Sequence, residues 1–319
     1  MNSAVVEVSK SSGDAVRFTV FQQIEWWLLC GLRRMPTPVV SAVGAWLGER
    51  NARRGIAAGR LWVDRLHRNF AHDAGEQDPA RREAMIIDYM RNLGRVYAEI
   101  SILQRMVAEG RIEVLGLDNL HAANRPLILA SCHLANWEFI GHLATMLDGN
   151  VADLFAPLSN PVHQKMVVQM RKRWPVRGKG LLVAANGNAL RQLSQILAAG
   201  NSLVMFIDEE RDGYVHAPSL GREIPLTGNR WFTARLATRY EADVVPVHVE
   251  PAGPARYRIV IGKPLQPQGH DRHERAVSMA NQLNDYFDPV VRTHLLHWYW
   301  YSLFERNAPV SAANMLTNC

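Results

Sequence analysis

The chain has 319 residues, 48% hydrophobic and 21% charged, a balance that excludes a disordered protein and allows one large folded domain or two small ones. Lysine and arginine outnumber the acids to leave a formal charge of +6, so anionic partners come first: membrane surfaces, phosphorylated lipids, acidic carrier proteins or nucleic acid. Three scattered cysteines, Cys30, Cys132 and Cys319, make neither a disulfide framework nor a metal-binding spacing, which fits a reducing compartment.

Residues 1–17 are polar, carry acids ahead of any apolar run, and read as a flexible N-terminus rather than a secretory signal. Residues 18–110 read as a helical, membrane-facing region. Its first apolar runs are interrupted by Glu25, by Arg33 and Arg34, and by Pro36 and Pro38, so no uninterrupted span of about twenty residues exists. Trp26 and Trp27 followed by two arginines instead predict a segment lying in a membrane interface. Farther on, Asp78 is placed as an N-cap with Pro79 at the first helical position. Ile86, Tyr89, Leu93, Val96 and Ile100 then recur at helical spacing.

From residue 111 the texture changes. Short apolar runs, "RIEVLG", "PLILAS", "VADLFA", "SLVMFID", "DVVPVHVE" and "YRIVIG", alternate with helix candidates near 136–148, 160–173, 187–199 and 229–241. Alternation of this kind predicts an α/β fold: a mainly parallel central sheet flanked by helices, with helical additions at both ends. A helical stretch is expected from 272 to 305, closing an α/β catalytic domain over 111–306, and 307–319 is a polar tail. The basic residues are spread out and no nucleic-acid-binding module is present, so nucleic acid is not an expected partner.

The stretch "ASCHLANWEFIGH", residues 130 to 142, carries the chemistry. His133 follows an apolar strand, and Glu138 stands just inside the helix that follows. The carboxyl ends of parallel strands are where open α/β sheets place ligands. A carboxylate on one imidazole nitrogen leaves the other free to take a proton from a hydroxyl or amine, without a metal. The expectation is therefore His133 as general base with Glu138 as its orienting partner. Cys132, the neighbour of His133 on a strand, is expected to point into the core.

His-x-x-x-x-Glu after an apolar strand resembles the first block of the glycerolipid and lysophospholipid acyltransferase superfamily. The surrounding residues are most similar to its lipid A biosynthesis (lauroyl/myristoyl) acyltransferase branch. "LSNPVHQKMVVQMRKRW" resembles the second block, where an Asn-Pro step leads into a helix with a functional arginine, here Arg171 or Arg173. "NSLVMFIDEERDG" stands where the superfamily has a strand ending in an acid with a basic residue downstream, roles that fall to Asp208, Glu209 and Arg211. "LLHWYWYSLFER" is similar to the branch's aromatic-rich C-terminal helix. This chain has Asp208-Glu209 where the branch usually has Asp-Gln, and Leu295 where it usually has proline.

The resemblance implies an acyltransferase moving a fatty-acyl chain from an acyl thioester, on acyl carrier protein or CoA, to a hydroxyl of a lipid A precursor or related glycolipid. It places the enzyme at the cytoplasmic face of a bacterial inner membrane. Arg171 or Arg173, with Arg211, would contact phosphate. Asp208 and Glu209 would hold acceptor hydroxyls or organise an arginine. Neither a metal nor a cofactor is expected. Two rivals remain: the same chemistry on a lysophospholipid or on an amine or hydroxyl of a specialised metabolite, and a catalytically silent lipid- or membrane-binding protein.

Overall fold

A computed structural model describes residues 19–306 apart from 125, 186 and 212. The expected N-terminal segment 1–17 and tail 307–319 lie outside the described residues.

Five helices come first: α1 (Val20–Leu32), α2 (Thr37–Ala57), α3 (Leu61–Asp73), α4 (Pro79–Glu99) and α5 (Leu103–Ala108). Helix α4 begins as expected, with the Asp78 carboxylate accepting from the Ala80 N–H and Pro79 at the first position. Its periodic residues Ile86, Tyr89 and Val96 are buried. Helices α2 and α4 touch through bare backbone. A Cβ on Gly48 would lie 2.0 Å from the Met90 carbonyl oxygen, and one on Gly94 2.2 Å from that of Gly44. No described helix is long and apolar enough to cross a membrane.

The α/β part runs β1 (Ile112–Leu115), α6 (Leu117–His121), β2 (Leu127–Ser131), α7 (Ile140–Ala144), β3 (Val151–Phe155), α8 (Pro161–Arg171), β4 (Gly180–Ala184), α9 (Ala189–Ala198) and β5 (Ser202–Phe206). A small hairpin, β6 (Glu210–Arg211) with β7 (Tyr214–Val215), leads to α10 (Gly228–Tyr240), β8 (Asp243–Pro251), β9 (Tyr257–Ile261) and α11 (Arg272–Thr293). Seven strands form one sheet in the order β1-β9-β8-β2-β5-β3-β4, parallel at every pairing except β8 with β9.

Strand β2 lies in the middle and is buried along its whole length. Because side chains alternate across a strand, Ile128, Ala130 and Cys132 join the core on one face while Leu127 and Leu129 join the core on the other. The first core is closed by Leu193, Leu236 and Leu283 of α9, α10 and α11. The second is closed by Leu143 and Met166 of α7 and α8.

Five elements differ from expectation, the unanticipated short helix α6 and the β6–β7 hairpin among them. Strand β4 was not anticipated, although "GLLVA" is an apolar run. The helix expected at 136–148 is a 3-10 turn, Trp137–Phe139, followed by the short α7. The helix expected over 272–305 stops at Thr293 and continues as two 3-10 turns, Leu295–His297 and Tyr299–Ser302. Its end is diverted because residues 297–299 pair with the backbone after β2. The Ala135 N–H donates to the His297 carbonyl, and the Tyr299 N–H donates to that of His133, both at 2.9 Å.

Candidate active site

Register decides what meets His133. Ser131, the last residue of β2, pairs with Phe206, the last residue of β5, so the two chains leave the sheet side by side. Two residues farther along each stand His133 and Asp208. The Asp208 carboxylate is fully buried, and its Oδ1 lies 2.8 Å from His133 Nδ1. Its Oδ2 accepts from the His133 backbone N–H at 2.7 Å and from the Trp298 indole N–H at 2.9 Å. A carboxylate this close keeps the proton on Nδ1 and leaves the Nε2 lone pair available. Trp300 Nε1 is 3.3 Å from the same Nδ1, but a nitrogen that carries hydrogen cannot also accept one, so the indole is a neighbour only. Phe206 packs on the imidazole with centroids 4.4 Å apart, and Trp137 and Trp300 meet it edge to face. The His133 side chain remains 21% exposed.

Glu138 does not take the position expected of it. Ala135 has a left-handed φ of 48°, and the 3-10 turn that follows carries the Glu138 carboxylate to α8. There Arg171 grips it with two parallel bonds, Nε to Oε2 at 3.0 Å and Nη2 to Oε1 at 2.7 Å. The third arm of the guanidinium, Nη1, lies 3.1 Å from Asp153 Oδ2 on β3. Burial pushes the Asp153 carboxyl up to about 6, with Arg171 opposing. Burial alone would lower the Arg171 pKa; Glu138 and Asp153 together outweigh it and hold the guanidinium firmly charged. Asp153 was missed at the sequence level, although an acid within the apolar strand run "VADLF" is the kind of exception that marks a site.

These groups edge a cavity of about 160 Å³. Glu138, Asp153, Arg171 and Lys172 are its charged residues, and Ile140, Ala144, Val151, Leu181 and Val204 are among its apolar ones. Trp137 and Phe206 line it too, and both pack on the His133 ring, so the cavity and the imidazole share walls.

The other expected residues fall into three places. Asp208 neither pairs with an arginine nor offers a free edge to an acceptor hydroxyl, because both its oxygens are engaged by His133 and Trp298. Glu209 sits under the start of α10, where Oε1 accepts from the Asn229 N–H at 2.6 Å and pairs with Arg211 at 3.2 Å. Burial pushes its carboxyl up to about 8. Gly228, at φ 71°, has no room for a Cβ, which would fall 2.4 Å from that oxygen. Arg211 and Arg173 are exposed. Cys132 is fully buried in the core, as expected, and burial pushes its thiol well above the ordinary range.

Over residues 12–303 the chain matches the family of bacterial lipid A biosynthesis acyltransferases. It belongs to that family. No curated protein matches it. As a lipid A biosynthesis acyltransferase it is an enzyme that transfers an acyl group. The expected His–Glu contact is replaced in this acyltransferase by two neighbouring pairs: His133 with Asp208, and Glu138 with Arg171.

Proposed function

We propose that the enzyme moves a fatty-acyl group from an acyl thioester, on acyl carrier protein or CoA, to a hydroxyl of a lipid A precursor or related glycolipid. His133 Nε2 takes the proton from the acceptor hydroxyl as its oxygen attacks the thioester carbonyl. The tetrahedral intermediate collapses, the carbon–sulfur bond breaks, and the departing thiolate receives that proton from the imidazolium. Asp208 fixes the tautomer and stabilises the imidazolium between the two transfers. The acyl chain occupies the cavity beside the ring. Arg171, kept cationic by Glu138 and Asp153, holds the charged wall of that cavity in place. Exposed Arg173 and Arg211 take phosphate groups of donor or acceptor.

The reading also places the chain on the cytoplasmic face of a bacterial inner membrane, held by its first two helices. Helix α1 packs on α8 through Trp26, whose ring lies under Lys165 Nζ at 4.6 Å, and through Glu25, 2.8 Å from His163. Its other face leaves Phe21, Ile24, Trp27 and Leu28 exposed, and α2 adds Val39, Trp46 and Leu47. Apolar and indole side chains grouped this way suit the headgroup boundary of a bilayer.

The observation that carries the function is the pinned His133–Asp208 pair beside a largely apolar cavity. The test presents the purified chain with acyl–acyl carrier protein or acyl-CoA and, in parallel, a Kdo–lipid A precursor, lysophosphatidate and small amines. The expected product is the acylated lipid A precursor, with turnover falling about 100-fold or more in His133→Ala. Full turnover in that variant removes the general base. Acylation of another acceptor alone reassigns the substrate.

A further inference from the structure

A carboxylic acid lies fully buried behind the catalytic turn, outside the groups the reaction uses. Glu99, the last residue of α4, is 0% exposed. Its Oε2 accepts from the Tyr257 hydroxyl at 2.6 Å and from Asn136 Nδ2 at 3.2 Å. Asn136 is itself fully buried and is the residue that caps the Trp137–Phe139 turn carrying Glu138. On the other side lies Ser41 of α2, which accepts from Arg95 Nη1 at 2.9 Å.

Burying an acid without a cation directly on it is costly, and packing α4 against the sheet needs no acid. What the acid supplies is an acceptor for the side chain of Asn136. That residue stands midway between His133 and Glu138, immediately after left-handed Ala135. The backbone on the far side of the turn is held by residues 297–299. The side chain of Asn136, which sets how far the turn lies from α4, is held from below by the Glu99 carboxyl with the Tyr257 hydroxyl beside it.

We infer that Glu99 is a positioning residue: by holding Asn136 it fixes the turn that separates the His133–Asp208 pair from the Glu138–Arg171 pair. The inference rests on the reading of those pairs as catalytic. Burial raises the Glu99 pKa against the pull of Ser41, Tyr257 and Asn136, so a neutral side chain of the same shape serves equally well. Glutamine offers one oxygen with two lone pairs, enough for both Tyr257 and Asn136.

The experiment measures kcat, the KM for the acyl thioester and the melting temperature of the full chain in Glu99→Gln, Glu99→Leu, Asn136→Ala, their double variant, and Tyr257→Phe. Glu99→Gln keeps kcat within about threefold, whereas Glu99→Leu and Asn136→Ala each lower it about 30-fold or more, the scale of a small misplacement of reacting groups. The thioester KM stays within about twofold, and the double variant is no worse than the poorer single. Tyr257→Phe lowers the melting temperature with kcat near wild type. Unchanged kcat in Asn136→Ala, or losses that multiply in the double variant, overturns the inference. Should Glu99→Leu fail to fold, Asn136→Ala and the glutamine rescue decide it. Full turnover in His133→Ala overturns the catalytic reading instead, and the inference with it.

Discussion

His133 and Asp208 are joined twice, through the imidazole Nδ1 at 2.8 Å and through the His133 backbone N–H at 2.7 Å. The second bond fixes the carboxylate relative to the strand end, so the first fixes the ring relative to the sheet. Asp208→Asn keeps the shape but offers an amide that lets the ring turn over or change tautomer. The expected outcome is a fall in kcat of about 100-fold or more with little change in the thioester KM. Steady-state kinetics check it, and a kcat near wild type rejects Asp208 as the orienting group.

Gly141, on α7, lies against the Trp174 indole at the wall of the cavity; a Cβ there would fall 2.3 Å from Nε1. Gly141→Ala therefore shifts the indole, whose ring is part of the lining. If the acyl chain occupies this cavity, the variant alters the ranking of donors by chain length. Competition between thioesters of different lengths measures it, and an unaltered ranking moves the acyl chain elsewhere.

Glu209 gives a pH dependence of known sign. Burial raises its folded-state carboxyl to about 8 from an ordinary value of 4.5, so the folded protein binds its proton more tightly than the unfolded chain does. The resulting stability is complete below the ordinary carboxylate range and is lost as pH rises through the folded value. Relative to Glu209→Gln, wild type should lose stability between about pH 4.5 and 8 and run parallel beyond. Thermal melts of both proteins across this window test the point; curves parallel throughout contradict it.

Phe21 and Trp27 are 84% and 67% exposed on the outward face of α1. Phe21→Ser with Trp27→Ser removes two large apolar side chains from that face while leaving Trp26 on α8. Binding to anionic vesicles is expected to weaken about tenfold or more, given about 1.5–3 kcal/mol for each large apolar side chain buried. Co-sedimentation reads the effect, and equal sedimentation assigns membrane contact to another surface.

The fold was legible because its central strands are short apolar runs set between helical periods. β4 was not anticipated, although "GLLVA" is an apolar run with Gly178 before it and Gly187 after it. His133 was legible as a titratable group at a strand-to-helix junction. Its partner was not, because Asp208 reaches it only through the register of β2 against β5, and strand periodicity does not encode which residue lies opposite which. Glu138 was sent to the wrong neighbour for a local reason. Ala135 adopts a left-handed φ that a glycine or asparagine would have signalled and an alanine does not. Nearness in sequence made the pair look closer than it is.

Helices α2 and α4 meet where Gly44, Gly48 and Gly94 leave no side chain between them. Two rods seated that tightly form a plank without slack. Its outer side carries Trp46 and Leu47, and its inner end carries Glu99. A single methyl at position 94 acts as a shim, tilting the end that reaches the reaction centre. The three glycines thus set the spacing between the exposed Trp46 and Leu47 and the end of α4 that carries Glu99.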